Sequence, residues 1–276
     1  ALASLEMAER LQKYLAARGL GSRREIEAWI ARGEVQVNGR VAQLGDQVEA
    51  TDVIRVRGRP VALGERSHRW IAYHKPEGEI CSRSDPEGRP SVFAALPRLR
   101  GQRWVSVGRL DLNTSGLLLF TTDGALAHAL MHPSTGLVRE YAVRVLGEIS
   151  TEVQDGLLRD VELEDGPAHF DTLRAAGGEG ANHWFHVTVG EGRNRLVRRL
   201  WEAAGVTVSR LIRVRYGPVE LGRGLRSGRF RDLEPVEIRA LYDAAVLRVP
   251  APAGRSRRVP GSGAPRKTRR PGARGR

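Results

Sequence analysis

Cysteine occurs once in these 276 residues, at position 81. An intramolecular disulfide is therefore excluded, and so is a cysteine-rich zinc site. The seven histidines do not gather as ligands. His183 and His186 form an H-x-x-H, but no third ligand lies near them in the chain, and residues 184–189 alternate as a strand does. No metal site is expected. No run approaches 18 apolar residues, so a membrane-spanning helix is not expected. No secretory leader opens the chain, and a soluble cytoplasmic protein follows as the expectation. A dinucleotide fingerprint and a P-loop are both missing, which argues against a nucleotide cofactor.

Lysine is nearly missing as well, at 13, 75 and 267 only, so almost all the basic charge is arginine. The net charge is +13. A genome-wide codon bias would explain arginine over lysine, but not the surplus of basic over acidic residues. A polyanionic partner explains that surplus, and arginine suits it because its planar fork meets phosphate oxygens in pairs and stacks on bases. Nine of the positive charges fall within 250–276, where no acidic residue offsets them, leaving +4 for residues 1–249. Proline, glycine, serine and arginine dominate that tail, and it is expected to be disordered.

The chain before the tail divides in two. Residues 7–64 form the first domain. Met7, Leu11, Tyr14 and Leu15 recur at helical spacing and Gly19 follows as a cap. Ser22-Arg23-Arg24-Glu25 is a capping box that opens a second helix with Ile26, Trp29 and Ile30 on its buried face. Val35 and Val37 alternate with polar residues before Asn38-Gly39, a hairpin turn. Arg23 and Arg24 face the positive end of a helix dipole, where basic charge is unfavourable unless an anion meets it. Residues 60–69 lack periodicity and read as a linker. A second domain then spans 70–248, with a helix expected at 123–132, strands at 139–145 and 206–216, and helices at 151–161 and 233–247. The fold class expected is α+β.

The centre of the second domain is Gly108-Arg109-Leu110-Asp111-Leu112-Asn113-Thr114-Ser115-Gly116, followed by Leu117, Leu118, Leu119 and Phe120. The four apolar residues read as a short buried strand with Asp111 at its mouth. A carboxylate anchored there is well placed for chemistry; an uncatalytic polar turn is the competing reading. A second concentration of charge lies at Arg193, Arg195, Arg198 and Arg199, around the start of a helical stripe made by Leu196, Val197, Leu200 and Trp201.

The run Gly-Arg-Leu-Asp-x-x-Thr-Ser-Gly-Leu-Leu resembles the signature of the pseudouridine synthases. It is most similar to the branch that holds the small-subunit synthase A and the large-subunit synthases B, E and F. The resemblance covers nearly the whole chain before the tail. Its N-terminal part, through Arg10 to Leu15, Gly21 to Glu25 and Val35-x-Val37-Asn38-Gly39, is similar to an S4 RNA-binding domain. Residues 85–90 are similar to the B type of that branch.

The resemblance implies a mixed, largely antiparallel catalytic domain and conversion of a uridine to pseudouridine in large-subunit ribosomal RNA, within a stem-loop. It implies no cofactor, and action as a monomer is expected. Asp111 is implied as the catalytic residue, Tyr141 as the aromatic against the uracil, Arg198 as the partner of Asp111 and Val197 as the apolar residue under the base. Arg199 stays open as the alternative partner of Asp111. Arg109 would fill the space left by the extruded base. Lys75, in a lysine-proline turn, is implied to support the site from below and is grouped with Arg23, Arg24, Arg193, Arg195 and Arg199 as residues that meet RNA. Another ribosomal RNA site, or a non-catalytic RNA-binding assembly factor, are the alternative functions.

Overall fold

The computed structural model describes residues 9–49, 51–61, 68–99 and 102–246. Met7, the tail expected over 250–276 and residues 62–67 of the expected linker lie outside the described residues. Among the described residues no helix is long and apolar enough to cross a membrane.

The N-terminal module holds β1 (Glu9–Arg10), α1 (Leu11–Ala17), α2 (Arg23–Ala31), β2 (Val35–Val37), β3 (Arg40–Val41), β4 (Gln47–Val48), β5 (Ile54–Val56) and β6 (Arg59–Pro60). Leu11 and Leu15 of α1 and Ile26 and Ile30 of α2 recur four apart, so each pair lies on one helix face, buried against Val35, Val37 and Ile54. The capping box is formed. Glu25 N–H donates to Ser22 Oγ at 3.2 Å and Ser22 N–H to Glu25 Oε2 at 2.6 Å. Asn38 and Gly39, both with positive φ, make the tight turn between β2 and β3.

The larger domain is built on one mixed sheet. Its strands are β7 (Trp70–Lys75), β8 (Val105–Val107), β9 (Ser115–Thr121), β10 (Arg139–Leu146), β13 (Thr172–Glu179), β14 (Asn182–Val189), β15 (Val208–Tyr216), β16 (Val219–Glu220) and β17 (Phe230–Asp232). A separate hairpin, β11 (Val161–Leu163) with β12 (Gly166–Ala168), stands outside it. The sheet runs β13-β14-β10-β15-β9-β7-β17, with β16 on β15 and β8 on β9. Only β15 and β9 pair in parallel; the other pairs are antiparallel, so the α+β class holds.

The apolar run 117–120 is continuous because β9 is covered on both faces. Leu117 and Leu119 pack under α3 (Gly124–Met131) and α6 (Pro235–Ala244). Leu118 and Phe120 pack on the other face with Ile71, Tyr73 and Val92. Gly116 marks the point where β9 meets β15: its φ is +107°, and a Cβ there would lie 2.3 Å from the Arg213 carbonyl oxygen.

Two helices differ from expectation. The helix expected at 151–161 ends early, as α4 (Thr151–Leu157), because Val161 already belongs to the β11–β12 hairpin. The last helix begins at Pro235 rather than Leu233. Pro235 takes the first helical position, Glu234 and Glu237 cap it reciprocally, and the Leu233 N–H is committed to the Trp70 carbonyl at 3.0 Å.

Candidate active site

Asp111 stands in the loop between β8 and β9, and the loop is held from beneath. Lys75, fully buried at the end of β7, donates from Nζ to the carbonyls of Thr114 at 2.8 Å, Asp111 at 3.0 Å, Pro76 at 3.0 Å and Leu112 at 3.4 Å. The Gly78 N–H donates to Leu112 O at 2.9 Å, and Thr114 N–H to Asp111 O at 3.1 Å. Cys81 adds a clasp, its Sγ lying 3.3 Å from the Leu110 carbonyl and 3.4 Å from the Leu110 N–H. Burial pushes the Lys75 pKa down, against the pull of Cys81, Glu79 and Asp111. Lys75 thus lies beneath the loop, on the side from which the resemblance implied support. Its grouping with the RNA-meeting residues is corrected, since a fully buried ammonium presents nothing to a phosphate.

Lys75→Met keeps much of the volume but leaves four carbonyls without this donor. We expect a loss of about 3–5 kcal/mol of stability and a fall in melting temperature of roughly 10 °C. Thermal unfolding checks this; an unchanged melting temperature would show that the loop does not depend on the lysine.

Over the loop lies a groove of about 920 Å³. It gathers Arg109, Asp111, Tyr141, Arg193, Arg195 and Val197 from the sequence-derived set. Arg109 is exposed at the rim and forms no ion pair among the described residues. Tyr141 is half-buried on β10, wedged between the clusters around Phe120 and Val143. Val197 is buried near the start of α5 (Leu196–Ala203).

Arg198 is 9% exposed and points at the loop, but not at its carboxylate. Its Nη2 donates to Asn113 O at 2.7 Å and its Nη1 to Val208 O at 3.2 Å. The direct ion pair expected with Asp111 is not formed; two carbonyls take up the guanidinium instead. Burial first, then repulsion from Arg195, lowers the Arg198 pKa, while the charge of Asp111 opposes them. Arg198 therefore clamps the residue two after Asp111 and stays within its electrostatic reach.

The other arginines of this stretch divide differently. Arg199 is bidentate to Asp165 at 2.8 and 2.9 Å, so it faces the β11–β12 hairpin and does not partner Asp111. Arg193 bonds Glu191, Asp165 and the carbonyls of Gly166 and Pro167. Arg195 takes a left-handed backbone, φ +50°, ahead of α5 and pairs with Glu202 at 3.2 Å. The anions these side chains need are largely supplied within the chain. Arg23 and Arg24, at the start of α2, are exposed and unpaired among the described residues.

Two further arginines line the groove. Arg213 is 2% exposed, sits directly across from Tyr141 in the β10–β15 register, and donates from Nε to Leu117 O at 2.8 Å. Arg139 donates to the carbonyls of Leu137 and Gly190 and lies over the Tyr216 ring. The signal for Arg213 was its inward position between Leu211 and Tyr216, where an arginine must find partners.

Residues 69–203 match the RNA pseudouridylate synthase family and residues 9–54 the S4 domain. A ribosomal large subunit pseudouridine synthase B of Pseudomonas aeruginosa is 57% identical over 87% of this chain and 63% of its own length. The proteins of the same name from Yersinia pestis and Escherichia coli K12 are 59% and 55% identical, over 83% and 87% of this chain and 73% and 84% of theirs. This chain therefore spans a little under two thirds of the Pseudomonas relative. A crystal structure of a pseudouridylate synthase superposes with a TM-score of 0.59 at 26% identity, covering 84% of this chain and 99% of that one. With this sheet, this loop and these relatives, the chain belongs to the RNA pseudouridylate synthase family.

Proposed function

We propose that this protein converts a specific uridine to pseudouridine in large-subunit ribosomal RNA, within a stem-loop. The observation that carries the proposal is the Asp111 carboxylate, held at the floor of an arginine-lined groove by a buried lysine and beside a half-buried tyrosine, while the groove's other carboxylate, Glu191, is paired with Arg193. The names of relatives 55–59% identical support the choice of RNA.

The reaction breaks the C1′–N1 bond, turns the base and joins C1′ to C5; the C5 proton then leaves and N1 gains one. It consumes no electron or group donor, so action without a cofactor is proposed. A carboxylate serves it either by attacking C1′ or by taking the 2′-proton as the base departs. Both routes need an ionised Asp111 and a fixed loop, and Lys75 and Arg198 serve the second need. Tyr141 is placed to stack on an extruded uracil, which offsets part of the stacking lost from the RNA, and Val197 to close the pocket beneath it. Arg109, exposed at the rim and without an ion pair among the described residues, would enter the space that the base vacates. The groove is formed within one chain, which supports action as a monomer, and a ribosomal RNA substrate supports a cytoplasmic location.

Incubating the purified chain with large-subunit ribosomal RNA that lacks pseudouridine, then mapping pseudouridines, tests the proposal. One site should appear; none would defeat it. The S4 part is proposed to dock the RNA through Arg23 and Arg24. Changing both to alanine should weaken binding and reduce the slope of log affinity against log salt by about 1.5–2. An unchanged slope would show that this helix start meets no phosphate.

A further inference from the structure

The sheet has a second face, and part of it is bare. Tyr141, Val143 and Val145 of β10 point to the side where α4 and α5 pack, through Leu157, Leu200 and Trp201. Helices α3 and α6 cover the opposite side over β7, β8, β9, β16 and the Ile212–Tyr216 end of β15, through Leu126, Leu130 and Leu241. No described helix covers that opposite side over β13, β14 and β10.

The side chains there are not those of an idle surface. Trp184, Arg144 and Arg210 stand in one row across β14, β10 and β15. Arg144 lies over the Trp184 ring at 5.9 Å and is steadied by Ser209, to which its Nε donates at 2.9 Å. Two arginines directly opposed on a sheet repel each other, and neither Arg144 nor Arg210 has an acidic partner among the described residues. In the next row Arg174 and His186 are neighbours. Glu140 ties His186, Arg215 and Arg174 together at 2.9, 2.9 and 3.4 Å. Burial works to raise the Glu140 pKa, but those bonds hold it below the usual carboxylate range. Of the four arginines on this face, Arg174 and Arg215 meet Glu140, while Arg144 and Arg210 meet no acid among the described residues.

This face is joined to the candidate active site. A second groove of about 560 Å³, lined by Arg174, Arg215, Thr172 and one acid, Asp171, shares Gly136 and Gly190 with the first. Two glycines form the shared rim, with the Asp171 carboxylate beside Gly190. A chain leaving the Asp111 groove over Gly136 and Gly190 would meet Arg215 and Arg174, then the row of Arg144, Arg210 and Trp184.

From this geometry we propose that the bare sheet face binds the single-stranded RNA that continues from the target nucleotide, with Arg174, Arg144 and Arg210 on phosphates and Trp184 stacked on a base. The charge calls for a polyanion, and the half-buried indole among the arginines calls for one with flat rings. The proposal rests on RNA being the substrate.

The test uses two synthetic RNAs: a hairpin that the wild-type chain modifies, and the same hairpin with about ten unpaired nucleotides on each side. The wild type should bind the extended RNA more tightly and with a steeper salt dependence. R144E/R210E should remove that advantage and reduce the slope for the extended RNA by at least ~1.4, one ~0.7 step for each single-strand phosphate no longer met. W184A should weaken binding of the extended RNA by about tenfold. R144K/R210K should keep the slope. Thermal unfolding of each variant checks that it is folded. An extension that adds nothing in the wild type, variants that keep its full benefit, or equal losses on both RNAs would each overturn the proposal. Wild-type turnover of the bare hairpin reports separately on the proposed reaction.

Discussion

Asp111→Asn should lose more than about a thousandfold in single-turnover rate at saturating RNA, on the order of 4 kcal/mol of transition-state stabilisation. Its RNA affinity should stay within a few-fold, because the amide keeps the shape of the side chain and removes only its charge and basicity. The loop itself should not move. Its fastenings run through backbone carbonyls and the Cys81 sulfur, not through the Asp111 carboxylate. The substitution is therefore a test of chemistry with little structural disturbance. Equal melting temperatures, matched binding curves and no pseudouridine would together support Asp111 as the reacting group. Normal turnover by the asparagine variant would remove it.

The same backbone fastenings show why part of this site was legible in the sequence and part was not. Local signals were legible. The Ser22–Glu25 box, the Asn38-Gly39 turn and the run 117–120 depend on neighbours in the chain, and each forms as the residues suggest. Pairings between distant segments left weaker marks. Lys75 meets Asp111 and Thr114 only because β7 and β9 are adjacent, with Lys75 opposite Gly116. The β11–β12 hairpin was missed although Asp165-Gly166 is a turn signal, since strands of three residues carry no readable alternation. That omission had a consequence. Arg193 and Arg199 looked like cations in need of phosphate, whereas Asp165 on the unread hairpin already pairs with both. Arg198 was expected to pair with the Asp111 carboxylate; it has no carboxylate bonded to it and grips the Asn113 carbonyl instead.

That grip sets the second large expectation. Arg198→Ala removes the donors that serve Asn113 O and Val208 O, and it removes a buried positive charge within electrostatic reach of Asp111. Both carbonyls are only partly buried, so each left unpaired costs about 1 kcal/mol, the low end for an unsatisfied group. The loop would drift, and the Asp111 carboxylate would drift with it. The rate at saturating RNA should fall nearly as far as in Asp111→Asn, and the double variant should be little worse than either single one, since both act on one loop. Arg198→Lys should restore only part of the rate, because an ammonium at the end of a flexible stem lacks the planar fork that now spans two carbonyls. A side chain that only touched phosphate would behave otherwise. Its loss would raise KM, spare the saturating rate and lower the salt slope by about 1. Additive losses, or a pure KM effect, would take Arg198 out of the positioning role. Arg199 could not replace it, being bidentate to Asp165. Arg213 would stand next, buried on the groove wall across from Tyr141.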